Sequence, residues 1–196
     1  MWGWIFSKKA LHEDKIRVSK FCSVQCKNKA ALLNKKTSPQ LIINNLLNNI
    51  HINYTNEYSI DFYLVDNYLD DYNLILEVNG DYYHSNPLIY SKINETQAKN
   101  VSKDKRKDKY IMKYHNIKTL YLWEYDINNN IKLCENIILE YIKNNGILLN
   151  YHSFNYKLID NQLILKENII IPFMEWSNEN LKSIICNKSI KKKSIL

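Results

Sequence analysis

Apolar residues first recur at helical spacing after a Thr-Ser-Pro start. Leu41, Ile42, Leu46, Leu47 and Ile50 share one side, and Thr37-Ser38-Pro39 offers a hydroxyl cap with Pro in the first turn. The pattern predicts an amphipathic helix to about residue 50. Residues 58–65 then alternate, with Ile60, Phe62 and Leu64 on one face and Ser59, Asp61 and Tyr63 on the other. Residues 66–73 are polar and turn-like. Over 74–79, Leu74, Leu76 and Val78 face one way while Ile75, Glu77 and Asn79 face the other. Two such strands predict a hairpin. Pro87 marks a loop over 85–94, and residues 95–115 read as a heavily charged helix that Asn116 closes in a left-handed cap. An apolar strand over 118–123 follows. Ile131, Cys134, Ile137, Ile138, Tyr141 and Ile142 then mark a second amphipathic helix, ended by Asn145-Gly146. Residues 147–151 and 156–171 are strand-like, with Asp160-Asn161 as a turn, and 175–185 reads as a short helix.

The order helix, strand, strand, helix, strand, helix implies an α/β fold, a mixed sheet flanked by helices. At 196 residues the chain suits one domain with appendages. These are a basic N-terminal segment (1–36), a core (37–146) and a C-terminal extension with a basic tail (147–196). The 45% hydrophobic content argues against overall disorder. No run of about 18 apolar residues predicts a membrane span. The four cysteines, without a secretory signal, suggest a reducing, intracellular setting. A net charge of +7 favours a polyanionic partner.

Charge matters most where it interrupts the apolar pattern. Glu77 stands in the most apolar strand, where an unpaired carboxylate is costly and needs a cation, a basic partner or a raised pKa. Asp61 interrupts the preceding strand, Gly80 ends the second, and His84 follows. On the charged helix Asn100, Asp104, Asp108 and Ile111 fall on one stripe among the basic residues Lys103, Lys105, Arg106 and Lys107. Two acids on neighbouring strands, an imidazole and a third acid fit one hydrolytic site built around a hard divalent cation.

These residues resemble the PD-(D/E)xK nuclease superfamily. They are most similar to the branch that holds the very-short-patch repair endonuclease and the EDxHD homing endonucleases. The resemblance runs from about Thr37 to Asp126. It is carried by Asp61 in Ile-Asp-Phe, by Gly80 and His84 in Asn-Gly-Asp-Tyr-Tyr-His, by Asn100, Val101, Asp104, Arg106 and Asp108, and by Trp123-Glu124. It implies a restriction-endonuclease-like fold and a Mg²⁺- or Mn²⁺-dependent endonuclease that acts on double-stranded DNA. On that reading Asp61 and Glu77 hold the metal, and His84 is the general base or orients the attacking water. Asp104 orients a histidine or a metal-bound water, and Lys103, Lys105, Arg106 and Lys107 bind phosphates.

Three departures qualify it. The lysine that follows the Glu by two is here Asn79, and the glutamate near the start of the first helix is Gln40. The His- and Cys-rich zinc site of the repair enzyme is replaced by Ser85-Asn86-Pro87, which favours homing or phage-type relatives. A separate Cys22/Cys26 pair resembles half of a treble-clef zinc finger. Its missing first half favours free thiols over structural zinc. The competing readings are a DNA-binding module that has lost catalysis and an RNA-directed nuclease.

Overall fold

The computed structural model describes residues 37–148, 151–166 and 181–185. The described residues all belong to the unit Thr37–Leu196. The Cys22/Cys26 pair lies outside them. Helix α1 (Ser38–Asn49) buries Leu46 and Leu47 as expected, but Ile43 takes the inward place in the first turns and Leu41, expected on that face, is exposed. Thr37 is extended at the N-cap but makes no side-chain cap bond. The expected hydroxyl cap is replaced by the fixed φ of Pro39 in the first turn.

The sheet has four strands, β1 (Thr55–Ile60), β2 (Tyr63–Leu69), β3 (Leu74–Asn79) and β4 (Lys118–Trp123), in that spatial order. The first three form an antiparallel meander, and β4 lies parallel to β3. The single strand expected over 58–65 is therefore two strands. Ile60 pairs with Tyr63, so Asp61 and Phe62 are the turn between them. Asp61 takes φ 53°, a left-handed conformation that aspartate tolerates better than most residues. Phe62, expected to share a face with Ile60, is 72% exposed, whereas Ile60 is buried. Alternation continues across a two-residue turn, which is why the pattern hides the break.

Helix α2 (Glu95–His115) makes the crossover that the parallel β3–β4 pair requires. A capping box opens it: Gln97 N–H donates to the Asn94 side chain, and Asn94 N–H donates to the Gln97 side chain. Asn116, at φ 53°, closes it as expected. A short helix α3 (Glu124–Asn129), not foreseen, follows β4 directly, and α4 (Ile131–Lys143) comes next. Beyond it lie a 3₁₀ turn (Ser153–Asn155) and a hairpin of β5 (Tyr156–Ile159) and β6 (Gln162–Leu165). Its turn residues Asp160 and Asn161 have φ 47° and 60°, as a two-residue hairpin turn prefers.

The sheet separates two environments. On one face Leu69, Leu74, Leu76, Leu120 and Leu122 pack against α1 and α4. On the other, Ile75 meets Ile111 of α2, and the polar residues of β3 share that side. Among the described residues no helix is long and apolar enough to cross a membrane.

Gly146 ends the α4 turn at φ 71°, and a Cβ there would lie 2.8 Å from both Leu74 and Lys118. Gly146→Ala should therefore destabilise the protein by roughly 1–3 kcal/mol, read as a lower denaturation midpoint.

Candidate active site

The β2–β3 register pairs Asn67 with Leu76, which sets Asp66 opposite Glu77 on one face. Asp66 Oδ2 accepts a 2.8 Å hydrogen bond from Val78 N–H, and its carboxyl group lies close enough to that of Glu77 for each to influence the other's proton affinity. Glu77 is only 8% exposed. Burial raises the pKa of both acids. For Glu77 the charge of Asp66 adds to the effect and Lys107 opposes it, leaving Glu77 pushed up to about 7. Lys107 reaches in from α2, its Nζ 2.5 Å from Glu77 Oε1.

His84 arrives on the loop between β3 and α2, which is tied down along its length. Its own N–H donates to Gly80 O at 3.1 Å, and Asp81 N–H donates to Glu124 Oε2 at 3.1 Å. Asn86 Nδ2 donates to Asp81 Oδ1 at 2.6 Å. From α2, Gln97 donates to Tyr82 O and Asn100 to Tyr83 O, at 3.0 and 3.2 Å. So fixed, His84 Nδ1 meets Asp104 Oδ2 at 2.8 Å. Burial works against the imidazolium. The hydrogen bond and charge of Asp104, with the charges of Glu77 and Asp66, outweigh it and raise the His84 pKa above its ordinary value. Glu77, Asn79, His84, Asp104, Lys107 and Asp108 line one cleft of about 40 Å³ between the sheet and α2.

The expected residues divide accordingly. Glu77, His84 and Asp104 come together, with Asn79 beside them. Asn100 holds the His84 loop. Lys103, Lys105 and Arg106 are exposed along α2. Lys107 is not an outward phosphate contact, because the buried acid it neutralises draws it inward. Gln40 is buried in the first turn of α1 and is not among the residues lining the cleft. Asp61 lies in the β1–β2 turn rather than within a strand facing Glu77. It accepts hydrogen bonds from His115 Nε2 at 2.8 Å and Tyr110 Oη at 2.9 Å, which lower its pKa.

Asp66 is the residue that sequence reading passed over, inside a stretch taken for a turn. The alternation Val65-x-Asn67-x-Leu69, all buried, is the signal that extends β2 through it. Also unforeseen is Tyr121, beside Glu77 in the β3–β4 register, whose hydroxyl donates to Asp108 Oδ1 at 2.9 Å. No group of three or more His, Cys, Asp or Glu side chains is placed to hold a metal ion among the described residues.

No family model and no curated protein matches the sequence. Among solved structures, the chain is similar to the catalytic domain of the homing endonuclease I-Bth0305I. The two are 24% identical, the match covers 58% of this chain and 100% of that one, and the TM-score is 0.43.

Proposed function

We propose that the chain is a metal-dependent, site-specific DNA endonuclease that hydrolyses phosphodiester bonds, of homing or very-short-patch-like type. The observation that carries this reading is the Asp66–Glu77 pair on adjacent strands, buried beside Lys107 in the face that also presents His84 and Asp104. Two mutually repelling carboxylates, disfavoured as anions by burial, are a hard-oxygen donor pair. That chemistry fits a Mg²⁺ or Mn²⁺ ion that takes its other oxygens from water and phosphate. Asp66 and Glu77 would hold the ion, so Asp66 takes the part that the sequence pattern assigned to Asp61. Bound there, the ion stabilises charge developing on the phosphate.

The remaining roles follow from the chain's own groups. Asp104 occupies Nδ1 of His84, which leaves Nε2 to take the proton of the attacking water. Lys107 supplies from α2 the cation that the superfamily pattern places two residues after the Glu, where this chain has Asn79. Exposed Lys103 and Arg106 hold flanking phosphates, a contribution that salt weakens.

A base must be neutral to act, so the raised pKa of His84 shifts activity toward higher pH. Asp104→Asn removes the main charge that raises it. The acid limb of the pH–rate profile should then move to lower pH, with a lower plateau. An unmoved limb would separate His84 from the proton transfer.

The direct test is cleavage of a random-sequence duplex library with Mg²⁺, with Mn²⁺ and with EDTA. Metal-dependent cutting, reduced at least about a hundredfold in His84→Ala, is expected. Salt-sensitive duplex binding with no cutting by the wild type would make the chain a binding module instead. Preferential cutting of RNA would reassign its substrate.

A further inference from the structure

Adjoining the acid cleft is a second cavity of about 180 Å³ that none of the proposed hydrolytic roles uses. The two share Asn79, His84, Asp104, Asp108 and Tyr121 in their walls, so they are neighbours. The second is walled by rings. His152 stacks on Tyr121 at 4.9 Å and 16°, and on Phe154 at 5.0 Å and 15°. Trp123 lies 5.6 Å from Phe154.

This wall is rigid. Trp123 N–H donates to Ser153 Oγ at 2.9 Å, and that hydroxyl donates to the buried Asp126 at 2.8 Å. The indole N–H of Trp123 donates to His152 Nδ1 at 3.3 Å. Indole nitrogen is only a donor, so Nδ1 is the acceptor and the His152 proton sits on Nε2. Polar side chains of Asn79, His84 and Asp104 also line it.

Aromatic walls, a few fixed polar groups and a volume below the roughly 300–1,000 Å³ of drug-sized sites suit a single planar heterocycle. We infer that this cavity receives one unstacked nucleobase of the DNA substrate, next to the phosphodiester bond that would be cut beside His84 and Glu77. The base lies against the aromatic wall, and its polar edge meets Asn79. Enzymes that draw a base out of the stack read it in this way, by stacking and by hydrogen bonds to its edge. This rests on the nuclease reading and adds to it a source of site preference: a position at which the base must leave the duplex.

The test places 2-aminopurine, in turn, at each position around the bond cut in the library-selected duplex, and follows its emission on binding in EDTA. A several-fold rise at one position beside the cut bond is expected. Val101→Phe should abolish that rise by filling the cavity from α2. Circular dichroism establishes that the variant is folded. The milder Val101→Leu should reduce the rise if the larger residue prevents folding. Cleavage by the wild type with no responsive position overturns the base pocket and leaves the nuclease reading standing. A rise that persists in the folded variants also overturns it, because unstacking is then not capture in this cavity. Absence of both cleavage and duplex binding overturns the nuclease reading, and the pocket with it.

Discussion

Asp66→Asn should lower DNA cleavage by about a thousandfold, the several kcal/mol that metal-centred charge stabilisation is worth. Asp61→Asn should leave cleavage within a small factor of the wild type. The two aspartates are five positions apart yet have opposite settings. Asp66 is desolvated, faces Glu77 and receives the Val78 N–H. Asp61 is exposed in a turn, and its carboxylate is satisfied by His115 and Tyr110. Asparagine at 66 keeps the size and the hydrogen bond to Val78 but removes the charge a cation needs. Parallel single-turnover assays of the two variants decide the matter. Equal losses, or a larger loss at Asp61, would sink the assignment.

The largest effect on stability should come from Glu77→Gln, with the opposite sign to its effect on activity. The folded protein holds the Glu77 proton up to a pKa of about 7, against 4.5 for the free side chain. A folded state that binds a proton more tightly than the unfolded chain loses stability as pH rises between those values. Above pH 7 the loss is roughly 3 kcal/mol. Glutamine does not titrate. The variant should therefore melt about 5–10 °C higher than the wild type at pH 8 and similarly to it at pH 5, while its cleavage is lost. Mg²⁺ should stabilise the wild type more at pH 8 than at pH 5, because the cation and the proton compete for the same carboxylates. Thermal unfolding at both pH values, with and without Mg²⁺, reads all three effects. A wild type whose melting temperature does not fall between pH 5 and pH 8 would contradict the raised pKa.

Glu77 was legible in the sequence because a lone acid in an apolar strand must have a partner. His84 and Asp104 were legible as a motif, and the 2.8 Å contact joins them. The charged helix was legible where its cap agrees with its pattern, as at Asn116 of α2. What stayed hidden depends on pairing between strands. Asp66 comes beside Glu77 only because β2 and β3 meet in one register, and neither strand's pattern records that register. Lys107 looks in sequence like its exposed neighbours on α2. Only the buried acid opposite distinguishes it. The stacked wall of Tyr121, His152 and Phe154 joins β4 to residues about thirty positions later, through a bridge too short to have a periodicity.

The parallel pairing of β3 with β4 also bears on how the protein is made. The β1–β3 meander can form as soon as Asn79 has emerged from the ribosome. The strand that covers the open edge of β3 begins only at Lys118. At a synthesis rate of about 5–20 residues per second, that edge waits roughly 2–8 s for its partner. During the wait it is an apolar template open to other chains. Within that strand Glu77 is the one charged residue, and until Lys107 arrives it has no cation beside it from α2. A lone charge in an open strand disfavours pairing with other chains. Glu77→Gln, more stable once folded, should give a lower soluble yield on rapid expression.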